Sequence, residues 1–234
     1  AETKSLLRKA HNHLQALPWT GPLHGVRGET SIDKITIYLT KEWLADDHIH
    51  HILELINREL EATMMPNMDE PRFIIQESTH FLTLMGQAQE NPSTYHTTSY
   101  DWLRHLGESL VGAVYNQFGT VINLGGNHWV ACIIDFRKET IHYGDSLGKP
   151  IPTLPLGTLR WWISQHTEST FMVANLPITT QRDGYSCGIL ACNVIASFCS
   201  DQRVPLVPAN RADEMQLEIF VRIAASHHNH VSTH

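Results

Sequence analysis

The chain has 234 residues, 42% of them hydrophobic, enough to bury one sizeable core. Its formal charge of -7 argues against a general nucleic-acid binder, which would be basic. No apolar run approaches the length of a bilayer span and the start lacks the basic-then-apolar pattern of an export signal, so no membrane role is expected.

In chain order, Leu6, Leu7, Ala10, Leu14 and Leu17 recur at helical spacing over residues 4–17, and Pro18 ends that helix. Residues 18–30 read as a loop, and Ile32, Ile35, Ile37 and Leu39 as a short strand. A second helix begins near Trp43–Asp47 and carries Ile49, Ile52, Leu53, Ile56 and Leu60 on one face. Residues 63–71, with two prolines, read as a loop. Phe73–Ile75 can form a strand, and Asn91-Pro92-Ser93 is a break. Ser99 can cap a short helix carrying Trp102 and Leu106, with a further helix through Ser109–Val114. Val121–Leu124 reads as a strand, Gly125-Gly126-Asn127 as a turn, and Trp129–Phe136 as a central strand covered on both faces. Thr140–Tyr143 is the returning strand of a hairpin. A helix over 159–166, a strand over Phe171–Leu176, a buried helix from Cys187 to about Ser200 and an amphipathic helix over 211–226 complete the chain. No repeat and no Ser/Gly-rich linker divides it, so residues 1–234 read as one domain, with a helix and loop over 1–30.

Cys132, Cys187, Cys192 and Cys199 form no C-x-x-C pair and read as free thiols. Histidine is abundant at 16, clustered at His48, His50 and His51 and again at His227, His228, His230 and His234. Neither cluster has a second ligand set at metal-binding spacing, so no metal is expected, and residues 227–234 read as a flexible polar tail.

The chemistry concentrates at Gln181-Arg182-Asp183-Gly184-Tyr185-Ser186-Cys187-Gly188. A glycine-flanked turn delivers a thiol to the first turn of a buried helix, where free N–H groups and the helix dipole favour the thiolate. From this stretch alone, an ordinary buried cysteine is an equal reading. A thiol nucleophile also needs a base, a group to orient the base and donors for an oxyanion. His128 stands at the edge of the central strand and Asp145 just past the strand that pairs with it, so the hairpin would bring them side by side. Gln181 is a neutral amide donor six residues before Cys187. Each is weak alone: His128 could be a satisfied edge histidine and Asp145 a turn residue. Together they fill every role.

Gly126-Asn127-His128-Trp129, Tyr143-Gly144-Asp145-Ser146-Leu147-Gly148 and Gln181 through Gly188 resemble the Ulp/sentrin-specific cysteine proteases, which process or remove small ubiquitin-like modifiers. The separations agree as well, seventeen residues from His128 to Asp145 and six from Gln181 to Cys187. The resemblance spans roughly residues 35–200. It implies an α+β, papain-like fold of the Ulp/adenain type, a central mixed sheet flanked by helices. It also implies cleavage after the C-terminal Gly-Gly of a SUMO-like modifier through a thioester. Cys187 would be the nucleophile, His128 its base, Asp145 the orienter of His128, and Gln181 part of the oxyanion hole. Glu42-Trp43-Leu44-Ala45-Asp46-Asp47 resembles the family's Trp-Leu-x-Asp segment, which gives Trp43 and Trp129 the walls of a Gly-Gly tunnel and Asp46 a contact to a basic residue of the modifier. Core packing is the other reading of both tryptophans.

The resemblance implies no cofactor. Its partners would be a ubiquitin-like protein (SUMO, Nedd-like or ubiquitin) and its conjugates, met by a monomer with no nucleic acid and no membrane. The acidic charge and the absent export pattern favour the cytoplasm or nucleus, with a secreted effector left open. Two departures stand out: Ser186 occupies a position where the family commonly has Asp, and residues 62–118 match poorly. A same-fold acyltransferase and a non-catalytic ubiquitin-like-binding module are the competing readings. Labelling by acetyl-CoA separates the former, while the full set of four residues argues against the latter.

Overall fold

A computed structural model describes residues 2–63 and 72–232. The expected loop over 63–71 lies, beyond its first residue, outside the described residues. The chain runs α1 (Glu2–Ala16), α2 (Asp46–Thr63), β1 (Phe73–Gln76), α3 (Phe81–Glu90), α4 (Asp101–Val111), β2 (Gln117–Leu124), β3 (His128–Asp135), β4 (Thr140–Gly144), α5 (Thr153–Ser164), β5 (Met172–Asn175), α6 (Cys187–Cys199) and α7 (Ala212–Ser232). The strands form one mixed sheet in the order β1-β2-β3-β4-β5. The outer pairs β1–β2 and β4–β5 are parallel, while β2–β3 and β3–β4 are antiparallel.

The apolar run of β3 follows from its place in the middle. Successive side chains of a strand point to opposite faces. Trp129, Ala131 and Ile133 enter one core with α2, α6 and α7, while Val130, Cys132 and Ile134 enter another with α3, α4 and α5. Both faces are covered, so no polar alternation survives. Twelve of the thirteen residues of α6 are buried, because it packs against β3, β2, α2 and α7. A helix surrounded in this way is apolar all round.

Three expectations are corrected. Ile32–Leu39 is a 3-10 helix, with Ile32, Ile35 and Tyr38 buried at the three-residue spacing of that geometry, where the apolar spacing suggested a strand. One helix, α4, replaces the two expected over 99–114, ending at Gly112, whose N–H bonds to Glu108 and Leu110 carbonyls. The last helix continues to Ser232, so residues 227–232 are not a flexible tail. His227 is buried there, its Nδ1 accepts the His24 main-chain N–H at 3.0 Å, and its ring stacks on that of His24. The helix α3, not foreseen, buries Phe81, Met85 and Ala88.

Candidate active site

The site is assembled by the β3–β4 hairpin and the start of α6. The hairpin register pairs Ala131 with Gly144, which leaves His128 at one strand start and Asp145 just past the other strand's end. Their side chains meet, His128 Nε2 to Asp145 Oδ1 at 2.7 Å. Asp145 is almost wholly enclosed, its side chain 1% exposed. The same Oδ1 accepts the Leu147 N–H at 2.7 Å, and the Gly148 N–H closes onto the Asp145 carbonyl at 2.8 Å. The carboxylate is therefore fixed by its own turn before it holds the imidazole. With Nε2 committed to Asp145, Nδ1 is the nitrogen left for the cleft.

Cys187 is the first residue of α6 and is 2% exposed. Burial pushes its thiol up. Against this, the main-chain N–H of Trp129, the Trp43 indole and the N–H groups of Gly188 and Cys187 favour the thiolate. The buried Trp43 Nε1 makes no hydrogen bond, so that donor is free for the sulfur. Ser186, which stands where the family commonly has Asp, is buried with its Oγ unpartnered, and Asp183 braces the turn that precedes α6. Asp183 Oδ1 accepts the N–H groups of Tyr185 at 2.9 Å and Ser186 at 2.8 Å. Gly188 answers a packing need: a Cβ there would lie 2.8 Å from Ile49 Cδ1 and 3.1 Å from Trp129 Cδ1. Gly184 has open space around it.

His128, Asp145, Gln181 and Cys187 line one cleft of about 580 Å³, together with Asn127, Tyr143, Lys149 and Asp183. Gln181 is held at three points. Its main-chain N–H donates to the Ser146 carbonyl at 3.0 Å, its Oε1 accepts from Ser146 Oγ at 2.6 Å, and its Nε2 donates to the Asp183 carbonyl at 2.9 Å. Trp43 and Trp129 stack on each other, 5.1 Å between ring centroids and 13° between planes. Trp129 is fully buried and donates its indole N–H to the Leu44 carbonyl at 2.6 Å. Asp46 opens α2 and accepts a hydrogen bond from the Thr79 hydroxyl; it does not line the cleft.

Sequence reasoning missed Ser146, Asp183 and Tyr143. Burial pushes the Tyr143 phenol up, and the Asp145 carboxylate beside it adds to that. All four cysteines are free and buried, and no group of His, Cys, Asp or Glu among the described residues has metal-holding geometry.

A thiol at a helix N-terminus, sharing a cleft with an imidazole whose far nitrogen is held by a carboxylate, is the arrangement of a thiol protease. The chain belongs to the Ulp1 protease family, matching its C-terminal catalytic domain over residues 42–231. The fold agrees. The SUMO protease Ulp1 with its catalytic cysteine oxidised to a sulfonic acid superposes with a TM-score of 0.71 at 20% identity, covering 93% of this chain and 94% of that one. The C-terminal Ulp1 protease domain in complex with SMT3, the yeast ortholog of SUMO, superposes with a TM-score of 0.67 at 21% identity, covering 94% and 95%. The Ubiquitin-like-specific protease 1 of Saccharomyces cerevisiae is 35% identical over 80 residues, 31% of this chain and 13% of that protein. The Putative thiol protease R355 of Acanthamoeba polyphaga mimivirus is 25% identical over 118 residues, 48% of this chain and 37% of that protein. The matched segments thus span less than half the length of either relative.

Proposed function

We propose that the protein is a cysteine peptidase that cleaves after the C-terminal Gly-Gly of a ubiquitin-like modifier, SUMO-like in type. The observation that carries this reading is the 2.7 Å bond from His128 to Asp145, opening on the cleft that also holds Cys187. His128 Nδ1 takes the thiol proton, and the Cys187 thiolate attacks the carbonyl carbon of the modifier's last glycine. The oxyanion forms against the Gln181 amide and the free N–H groups at the start of α6. The imidazolium returns its proton to the leaving amine as the C–N bond breaks, leaving a thioester. Water, deprotonated by His128, then releases the modifier and the thiol.

The SUMO-like substrate class is supported by the relative named a ubiquitin-like-specific protease and by the structural neighbour in complex with SMT3. In this reading Trp43 and Trp129 flank the diglycine. Their stacked contact in the free protein leaves no room for a peptide strand between the rings, so Trp43, the less buried of the two, swings aside as the tail enters. Asp46 gives up Thr79 to meet a basic residue of the modifier. The test is hydrolysis of fluorogenic C-terminal amides of SUMO, a Nedd-like protein and ubiquitin. Turnover of one of them, lost in Cys187→Ala and His128→Ala, is expected; equal turnover by these variants overturns the reading.

A further inference from the structure

We propose that Ser146 is a positioning residue for the oxyanion donor, locking the Gln181 side chain in the orientation that the Asp183 carbonyl selects. This rests on the peptidase reading above. A carboxamide has two ends of nearly equal size and opposite hydrogen-bonding character, so an oxyanion donor works only if its NH2 end is held toward the reacting carbonyl. The surroundings of Gln181 leave one solution. The Asp183 carbonyl, 2.9 Å from Nε2, can only accept, so it must meet the NH2 end. Oε1 therefore faces Ser146 Oγ at 2.6 Å, and the single hydroxyl proton of Ser146 is given to it. Nε2 keeps a second N–H, and Gln181 lines the cleft with Cys187.

Ser146 is 0% exposed, so its hydroxyl makes this bond out of contact with bulk water. Its carbonyl also accepts the Gln181 main-chain N–H at 3.0 Å, which pins the glutamine backbone to the same residue. The residue before it, Asp145, holds His128. One dipeptide leaving β4 thus orients both the base, through Asp145, and the oxyanion donor, through Ser146. The turn that carries them is closed by the Leu147 and Gly148 N–H groups on Asp145, so the two side chains are set by one rigid piece of backbone.

The test is a double-mutant cycle on a fluorogenic C-terminal amide of SUMO, with ubiquitin as the second substrate, using Ser146→Ala, Gln181→Ala and the double variant. Ser146→Ala is expected to lower kcat about tenfold with KM unchanged, the scale of one lost neutral hydrogen bond. Gln181→Ala is expected to lose roughly a hundred- to thousandfold, and the double variant no more than Gln181→Ala alone. Iodoacetamide alkylation of Cys187 against pH should be the same in Ser146→Ala and wild type, because the His128–Asp145 pair is untouched. Should Ser146→Ala unfold, Ser146→Cys, close in size and a poor donor, carries the same prediction. Losses that add in the double variant, or a displaced alkylation profile, overturn the role of Ser146. An unaffected Ser146→Ala beside a crippled Gln181→Ala overturns this inference alone. Full activity of Gln181→Ala overturns the oxyanion reading beneath it.

Discussion

Asp145 does two things at one oxygen: it closes its own turn through the Leu147 N–H and it holds His128 Nε2. Asn in its place keeps the size but exchanges a charged acceptor for an amide. Asp145→Asn should lower kcat/KM by roughly ten-thousandfold on the serine-protease precedent, measured on a modifier amide, with the thermal midpoint near wild type. Turnover near normal would remove Asp145 from the mechanism. Trp43→Ala removes both the stacking partner of Trp129 and an indole N–H that favours the thiolate. It should therefore weaken turnover of full modifier substrates and slow alkylation of Cys187 at neutral pH; a variant normal in both excludes Trp43 from the site. That His128, Asp145, Gln181 and Cys187 share one cleft was legible in the sequence, because the proposed thiol chemistry calls for those residue types and a hairpin and a turn bring them together. Ser146 and Asp183 were not. Serine and aspartate are ordinary turn residues, and only the three-dimensional placement of the Gln181 amide and of the Tyr185 and Ser186 N–H groups before α6 gives them meaning.

At the scale of elements, α6 crosses the sheet so closely that its second residue has no room for a side chain. Gly188→Ala would drive a Cβ into Ile49 and Trp129, and the expected cost is about 1–3 kcal/mol in chemical denaturation. An unchanged midpoint would mean that α6 can move away from β3 without penalty. The strand β3 and the helix α6 were readable as continuous apolar runs, α2 by its helical period, and β4 as the strand returning from the turn after β3. The 3-10 helix at 32–39 was not, because Ile35, Ile37 and Leu39 imitate strand alternation while the buried set is Ile32, Ile35 and Tyr38. The helix α3 escaped for the opposite reason. Its N-cap His80 makes no side-chain cap bond and Gly86 interrupts it, so the start signal and propensity were both missing.

At the scale of the whole molecule, His48, His51 and His227 serve the fold. His48 accepts the Ala45 N–H on Nδ1 and donates Nε2–H to the Lys34 carbonyl, which fixes its neutral form at the start of α2. His51, 1% exposed, is pushed down to about 4 by burial, with His48 and His50 adding to it. Burial also lowers His227, which tethers the N-terminal loop to α7 through His24. The sign follows directly. The unfolded chain binds these protons below about pH 6.5, whereas folded His51 resists until about 4, so stability is full above that window and falls as the pH drops through it. His51 alone should remove on the order of 3 kcal/mol between pH 6.5 and 4. Denaturation midpoints measured from pH 7.5 to 4.5 should fall steadily below 6.5, and a flat profile would contradict the buried neutral state. The sequence pointed to a frayed tail at 227–232 because a run of histidines looks polar; stacking of His227 on His24 and of His228 on His13 supplies the missing partners. No helix among the described residues is long and apolar enough to cross a membrane.

The most direct test of the proposed chemistry is to react the protein with SUMO and ubiquitin carrying a C-terminal electrophile and to locate the adduct by peptide mass spectrometry. A single adduct on Cys187 is expected, lost in Cys187→Ala and formed far more slowly in Asp145→Asn. An adduct on Cys132, Cys192 or Cys199, or none with either probe while iodoacetamide still alkylates Cys187, would contradict a thiol centre built to receive a diglycine tail.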